Sequence, residues 1–148
     1  MSNALVVIKN LSNTYRTRSY GVFGREVIQP VLDHITLEIG QGEIFGLVGE
    51  SGCGKTSLGN SILGLIAYEG DILIDGLPQN PQGRLRRSKA LARKVQAVFQ
   101  DPGAALNPAK TIGWLMEEPL SIHGIGTQQD RIKKVDAMLY RVGLDPGY

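Results

Sequence analysis

Cysteine is almost absent from this chain: Cys53 is the only one in 148 residues. A single thiol forms no internal disulfide, so stability must come from an apolar core, and a reducing compartment is the simpler expectation. Long apolar runs are missing too. The longest, Ser61 to Tyr68, falls far short of the ~20 residues that span a bilayer. The amino terminus, Met1 to Ile8, has no basic stretch, and its apolar run is too short for a signal peptide. Charge of one sign is scarce. Sixteen Lys and Arg against fourteen Asp and Glu leave +2, which argues against a polyanion-binding tail and against an acidic disordered one. Aromatic residues make up only 6%. What remains is the composition of an ordinary globular domain, 42% hydrophobic and 20% charged, long enough for one domain and short for two.

Glycine is what the chain has in excess. Nineteen glycines and seven prolines make about 18% of it, above the average of roughly 12% but below the level of a low-complexity segment. The glycines should therefore serve particular backbone positions.

The residue pattern predicts a strand at Leu5–Ile8, an irregular polar insertion over Tyr15–Pro30 and a half-buried strand over Val31–Ile39, with Ile35, Leu37 and Ile39 on one face. Gln41-Gly42 reads as a turn, and Ile44–Val48 as a short buried strand. A glycine-rich loop, Gly49–Gly54, then leads into a helix over Lys55–Ile66. Asp71–Ile74 reads as a strand closed by the turn Asp75-Gly76. A helix over Arg84–Lys94, a β-rich run over Val95–Phe99 and a loop over Asp101–Pro108 follow. Ile112–Ile122 reads as a helix interrupted by Pro119. Thr127 and Asp130 have the spacing of a capping box, ahead of a helix with Ile132, Val135, Met138, Leu139 and Val142 on one stripe and Gly143 as its stop. There is no internal repeat. Mixed strands and helices, with a loop–helix junction after a buried strand, point to an α/β fold.

One segment carries chemistry. Gly49-Glu50-Ser51-Gly52-Cys53-Gly54-Lys55-Thr56 fits G-x-x-x-x-G-K-[ST]. A phosphate chain needs several backbone N–H donors converging on it, and glycines permit the tight wrap and the close approach. The start of the following helix adds a favourable dipole. Lys55 has the reach for the β- and γ-phosphates, and the Thr56 hydroxyl suits Mg²⁺. At average residue frequencies the fixed positions match by chance about once per 200 chains of this length. The expected strand before the loop and helix after it are the context that the motif requires. The phosphate-binding set is thus Gly49, Glu50, Ser51, Gly52, Cys53, Gly54, Lys55, Thr56 and Ser57.

Around this loop the sequence resembles the ATP-binding subunits of ABC transporters. Asn10-Leu11-Ser12-Asn13-Thr14-Tyr15, then Val31–Ile39, then Gly42 to Gly52 follow the amino-terminal half of that family, and Val98-Phe99-Gln100-Asp101-Pro102 looks like its Q-loop. Within the family, Asp101-Pro102, Ala105-Leu106-Asn107-Pro108, Glu118-Pro119-Leu120 and Ile122-His123-Gly124 resemble the oligopeptide, dipeptide and nickel importer group, as does the insertion between Tyr15 and Pro30. The resemblance covers essentially the whole chain. It implies a P-loop NTPase core over residues 1–100 and a Q-loop with the beginning of a helical subdomain over 101–148. It also implies ATP and Mg²⁺ as cofactors and a cytoplasmic place on the inner face of the cell membrane. The implied partners are transmembrane subunits, a second ATP-binding subunit and, indirectly, an extracytoplasmic solute-binding protein; nucleic acid is not among them. By the same resemblance Tyr15 would stack on adenine, Gln100 would help hold Mg²⁺ and sense the γ-phosphate, and Lys55 and Gln100 would be the catalytic residues. A flat aromatic face is a general platform for a purine; a tyrosine merely packed at a strand end is the plainer alternative.

Other parts of that family's machinery do not occur in these 148 residues: no LSGGQ-type signature, no D-loop, no switch histidine. Trp114-Leu115-Met116-Glu117-Glu118 imitates a Walker B strand, but its first acid is Glu, its apolar residues are not β-branched, and Pro119 follows at once. Those glutamates read better as a solvated helix face. The resemblance therefore implies the first portion of a nucleotide-binding domain, able to bind nucleotide weakly with little or no turnover. A core sheet left incomplete would expose apolar surface and favour self-association. A non-hydrolysing nucleotide-binding or assembly module, and an ABC ATPase outside transport, are the rival expectations.

The remaining features have plain readings. Cys53 is a small residue filling a tight loop, with alkylation sensitivity as a by-product. His34 should lie on a strand surface and His123 at a helix end. Arg84, Arg86, Arg87, Lys89, Arg93 and Lys94 should form a solvated helix face rather than a nucleic-acid site.

Overall fold

A computed structural model describes residues 4–18, 26–79, 88–145 and 147. The chain divides into two units, Met1–Gln96 and Ala97–Tyr148.

The first unit is built on two 15-residue strands, β1 (Ala4–Arg18) and β2 (Glu26–Gly40), joined by β3 (Glu69–Ile74) and the short β4 (Leu77–Pro78) in the order β2-β1-β3-β4, all pairs antiparallel. β1 is central because both its neighbours pair with its β-branched start: Ile8 faces Leu37 on one side and Ile72 on the other. The ladder is irregular beyond Ile8, with register shifts between Ile8 and Leu11, Leu11 and Asn13, and Asn13 and Thr14. Asn10 and His34 take left-handed backbone there, at φ 49° each. Each displaced amide finds a hydroxyl from the opposite strand: Asn10 N–H donates to Thr36 Oγ1 and His34 N–H to Ser12 Oγ, both at 3.0 Å. The bulges are thus satisfied rather than orphaned. The Asp75-Gly76 turn, at φ 52° and 71°, closes the β3–β4 hairpin with the positive φ at both positions that its right-handed twist favours.

Helix α1 (Lys55–Ile62) and helix α2 (Lys89–Lys94) complete this unit. Its core joins Ile8 and Leu11 of β1, Leu32 of β2 and Ile72 and Ile74 of β3 to Leu58 of α1 and Leu91 of α2. Full burial of each such side chain contributes about 1.5–3 kcal/mol. Ser57 and Ser61 are also buried on α1, and Ser61 Oγ donates to Ser57 O at 2.9 Å. On α2, Ser88 caps the start by accepting from Leu91 N–H, and Lys94 pairs with Asp75.

The second unit is helical: α3 (Pro102–Ala105), α4 (Ile112–Ile122) and α5 (Gln128–Arg141). Thr111 caps α4, and Lys110 sits 4.5 Å over the Trp114 ring. Arg131 of α5 donates through Nε to Glu117 of α4 at 3.1 Å and through Nη1 to Gly126 O at 3.0 Å. The capping box at the start of α5 is present: Thr127 N–H donates to Asp130 Oδ2 at 2.9 Å and Asp130 N–H to Thr127 Oγ1 at 3.2 Å. Gly143, at φ 78°, ends α5 in a Schellman motif, with Leu144 N–H donating to Leu139 O and Gly143 N–H to Tyr140 O.

Several expectations need correction. Ile44–Val48 and Val95–Phe99 are not strands. Ile44 is fully exposed, Val48 is 91% exposed and Val98 98%. Their apolar composition suits a buried strand, but a strand exists only against a pairing partner, and here neither run has one in the sheet. The segment Tyr15–Pro30 is irregular only in part. Tyr15 pairs with Gln29 and Arg18 with Glu26, because the β1–β2 ladder carries on past the core; residues 19–25 lie outside the described residues. Helix α1 stops at Ile62 instead of Ile66, since Gly64 supplies a Schellman end, with Leu65 N–H donating to Asn60 O. Four residues of the Asp101–Pro108 loop form α3. Pro119 does not interrupt α4: the helix forgoes one hydrogen bond there and continues. On α5 only Val135 and Leu139 are buried, while Ile132, Met138 and Val142 are exposed. Arg84, Arg86 and Arg87 lie outside the described residues.

Candidate functional site

The glycine-rich loop turns directly into α1. Gly54 is the N-cap, at φ +97°, and it gives the helix no side-chain cap. The first turn of α1 holds no acidic residue. A helix start without a carboxylate or a capping hydroxyl keeps its N–H groups and its positive dipole end available to an anion. Glycine is required at this N-cap twice over. Its backbone is left-handed, and a Cβ would come within 2.9 Å of Val31 O and 3.0 Å of Leu32 Cδ2. The loop is thereby pressed against β2, next to the buried Leu32 of the core. At Gly49 a Cβ would meet Cys53 Sγ at 2.9 Å, so the two ends of the loop nearly touch.

Lys55 lies across that loop. Its ammonium donates to Gly49 O at 2.8 Å and Glu50 O at 2.5 Å, and stands 3.5 Å from Cys53 Sγ. The cation thus braces the loop through its carbonyls and is held where an incoming anion would meet both it and the helix start. Thr56 is exposed at the second helical position, and Ser57 is buried beneath it. Cys53 is an exposed free thiol. Among the described residues no group of three or more His, Cys, Asp or Glu is placed to hold a metal ion.

Residues 49–57 come together in one loop–helix junction. Tyr15 stands elsewhere in the same unit, on β1 opposite Gln29 and 47% exposed. Gln100 belongs to the second unit, at an exposed bend just before α3. His34 is exposed on β2, with Nδ1 2.5 Å from Asp33 Oδ1, and His123 is the C-cap of α4. Glu117 and Glu118 lie on a helix, but only Glu118 is solvated; Glu117 is half-buried and paired with Arg131.

Sequence reasoning passed over two buried amides, one bonded just ahead of β3 and one at the end of α1. Asn13 Nδ2 donates to Ala67 O at 2.6 Å, and Gln79 Nε2 donates to Ile62 O at 2.7 Å. Each leaves its own side-chain oxygen buried without a hydrogen-bond partner. Beside Asn13 lies a pocket of about 250 Å³ lined by Ser12, Asn13, Thr14, Ala67, Tyr68 and Glu69. Burial, with a smaller contribution from Asp71, pushes the Tyr68 phenol up to about 12, so it stays protonated and able to donate. Only the position of Asn13, two residues before Tyr15, could have drawn notice to it.

Residues 32–146 match the family model described as ABC transporter. The chain is 38% identical over 143 residues to a Brucella ovis protein named, provisionally, a peptide import ATP-binding protein; the match covers 96% of this chain and 43% of that protein. It is 42% identical over 126 residues to a protein of the same provisional name from Brucella abortus, covering 84% of this chain and 37% of that one. A third, from Brucella melitensis, has the same identity and covers 33% of the relative. The chain spans less than half the length of these relatives. None of its described helices is long and apolar enough to cross a membrane. With the family model matched over most of its length around the glycine-rich loop, the chain belongs to the ABC transporter family.

Proposed function

We propose that this chain is the nucleotide-binding portion of an ATP-binding subunit that powers import of peptides. One observation carries the reading: a glycine-rich loop closes onto an uncapped helix start, with the Lys55 ammonium held across it by Gly49 O and Glu50 O. The backbone of Gly49–Gly54 and the first N–H groups of α1 would wrap the phosphates of ATP, and Lys55 would leave its two carbonyls for phosphate oxygens. Thr56 would contribute its hydroxyl to Mg²⁺, and Ser57 a backbone N–H at the base of the loop. Tyr15 would supply a stacking face for adenine, and Gln100 would respond to the γ-phosphate. When bound, Mg²⁺ supplies charge neutralisation on the phosphates. Residues 1–100 would form the ATP-binding core and 101–148 the start of a helical subdomain. Peptide as the solute follows the names of the quoted relatives, which do not mention nickel. Transmembrane subunits, a second ATP-binding subunit and a solute-binding protein would complete the importer, with this subunit on the cytoplasmic face.

In this reading the chain itself binds ATP without appreciable hydrolysis, because its sequence offers no apolar strand run ending in Asp-Glu to hold Mg²⁺ and orient the attacking water. Calorimetry of MgATP with the 148-residue chain and with Lys55→Ala tests it. Loss of charge-assisted contacts of about 1.5–3 kcal/mol should weaken binding by about ten- to a hundredfold in the variant. Equal affinities in the two proteins, or Lys55-dependent release of phosphate by the pure chain, would overturn the respective half of the proposal.

A further inference from the structure

We infer that Gln29 reads the edge of the nucleotide base and makes the site select adenine over guanine. The inference rests on the nucleotide-binding reading above, with Tyr15 as the stacking platform. Gln29 lies on β2 directly opposite Tyr15 on β1, and both are exposed. Residues paired across an antiparallel ladder share a face, with their Cβ atoms about 4.5–5.5 Å apart. The pair belongs to an unshifted stretch of the ladder, from Thr14 opposite Pro30 to Arg18 opposite Glu26. The two strands thus present a flat ring and a primary amide side by side.

The glycine-rich loop meets β2 two residues away. A Cβ on Gly54 would lie 2.9 Å from Val31 O and 3.0 Å from Leu32 Cδ2. At the usual rise of a strand, Val31 stands about 7 Å from Gln29, a distance that one ribose bridges. The face is shared as well. Leu32 pairs with Asn13 and packs in the core with Leu58 of α1. Along β1, Leu11 and Asn13 are buried while Ser12 and Thr14 are not. Side chains alternate along a strand, so Tyr15, two residues after Asn13, lies on the side of the sheet that Leu32 occupies. The extra residue at the register shift, Val31, is on β2 and leaves that alternation on β1 intact. A nucleotide with its phosphates in the loop has Tyr15 and Gln29 within reach of its base.

The chemistry of the amide then decides which base is preferred. Glutamine offers one acceptor and two donors, and no described residue holds the Gln29 side chain in a hydrogen bond. Adenine sets its 6-amino donor between two ring-nitrogen acceptors, so each edge there pairs one donor with one acceptor, as an amide does. Guanine has a 6-oxo acceptor in that place. Its N7 edge shows two acceptors, which an amide does not match.

The experiment is calorimetry of MgATP, MgGTP and magnesium triphosphate with the 148-residue chain, Gln29→Ala, Gln29→Glu, Tyr15→Ala and the double alanine variant. In the wild type ATP should bind about tenfold or more tighter than GTP. Gln29→Ala should bring the two within about twofold by weakening ATP, without weakening triphosphate, which has no base. Gln29→Glu presents two acceptors to the adjacent N–H donors of guanine and should reverse the preference. Its charge acts on the phosphates of both nucleotides alike and cancels in the ratio. It keeps the length of the side chain, so it also serves if Gln29→Ala does not fold. In the Tyr15→Ala background, Gln29→Ala should change ATP affinity by less than about twofold. Equal affinity of the wild type for ATP and GTP, an unchanged ratio in the Gln29 variants, or equal weakening of triphosphate would overturn the inference alone. A wild type that binds ATP no more tightly than triphosphate would overturn the Tyr15 platform with it. A wild type that binds none of the three would overturn the nucleotide reading itself.

Discussion

The ammonium of Lys55 and the carbonyl oxygen of Gly49 lie 2.8 Å apart, closing the glycine-rich loop on itself. The same ammonium reaches Cys53 Sγ at 3.5 Å. A phosphate that draws Lys55 away from its loop partners must also pass over the exposed thiol. Under the nucleotide reading, MgATP should therefore shield Cys53 from alkylation. At a ligand concentration ten times Kd the iodoacetamide rate should fall about tenfold, following the fraction of free protein. Adenosine, which has no phosphate, should give no shielding. Mass spectrometry of quenched time points reads the rate, and equal rates with and without MgATP would count against the arrangement.

Gly54 supports a second expectation, one of stability. Alanine there would hold a left-handed backbone and press a methyl group to within 2.9 Å of the backbone oxygen of Val31. Strain of this kind costs about 1–3 kcal/mol. Gly54→Ala should lower the melting temperature by several degrees, whereas Gly52→Ala, whose Cβ meets nothing within 4 Å, should lower it less. A thermal melt followed by circular dichroism checks the order; the reverse order would mean that the close approach to β2 does not support the fold.

The capping box of α5 should respond to acid. Hydrogen bonds from the Thr127 side chain and then its backbone hold the Asp130 carboxyl below its ordinary 3.8. Because the folded value is depressed, the stabilisation is fully present above the unfolded value and is lost as pH falls through the folded one. An NMR titration should place the Asp130 midpoint below 3.8 in wild type and move it back up in Thr127→Val. A wild-type midpoint at or above 3.8 would contradict the hydrogen-bond geometry.

Ile44, Val48 and Val98 expose almost their whole side chains. Apolar surface of that kind seeks a partner. The 148-residue chain should self-associate in light scattering at micromolar concentration, and Ile44→Lys with Val48→Lys should shift it toward monomer without lowering the melting temperature. A monodisperse wild-type monomer would remove this expectation.

These outcomes also separate what could be read from residues from what could not. The Asp75-Gly76 turn, the capping box of Thr127 and Asp130, the stop at Gly143 and the loop–helix junction at Lys55 were legible, because each is decided within a few neighbouring residues. Ile44–Val48 was misread for the opposite reason: its apolar residues report suitability for a strand, while pairing depends on chain far away. The continuation of β1 and β2 through Tyr15 and Gln29 was hidden by polar residues without alternation. The burial of Asn13 and its bond to Ala67 were invisible, since they arise only when distant segments meet.

The strand order has a consequence in time. The β1–β2 pairing closes a short stretch of chain, while β3 reaches its place on β1 only after the whole segment from Gly40 to Glu69 has been bridged. Contacts distant along the chain form late because closing the larger loop costs more entropy. During synthesis the hairpin can therefore assemble while the glycine-rich segment still trails from it as slack, and arrival of β3 draws both ends of that slack to the same strand. A nascent chain stalled before Ile72 would carry the complete motif with only the Lys55 brace and the approach of Gly54 to β2 to hold it, and without the strand that draws the two ends of the segment together.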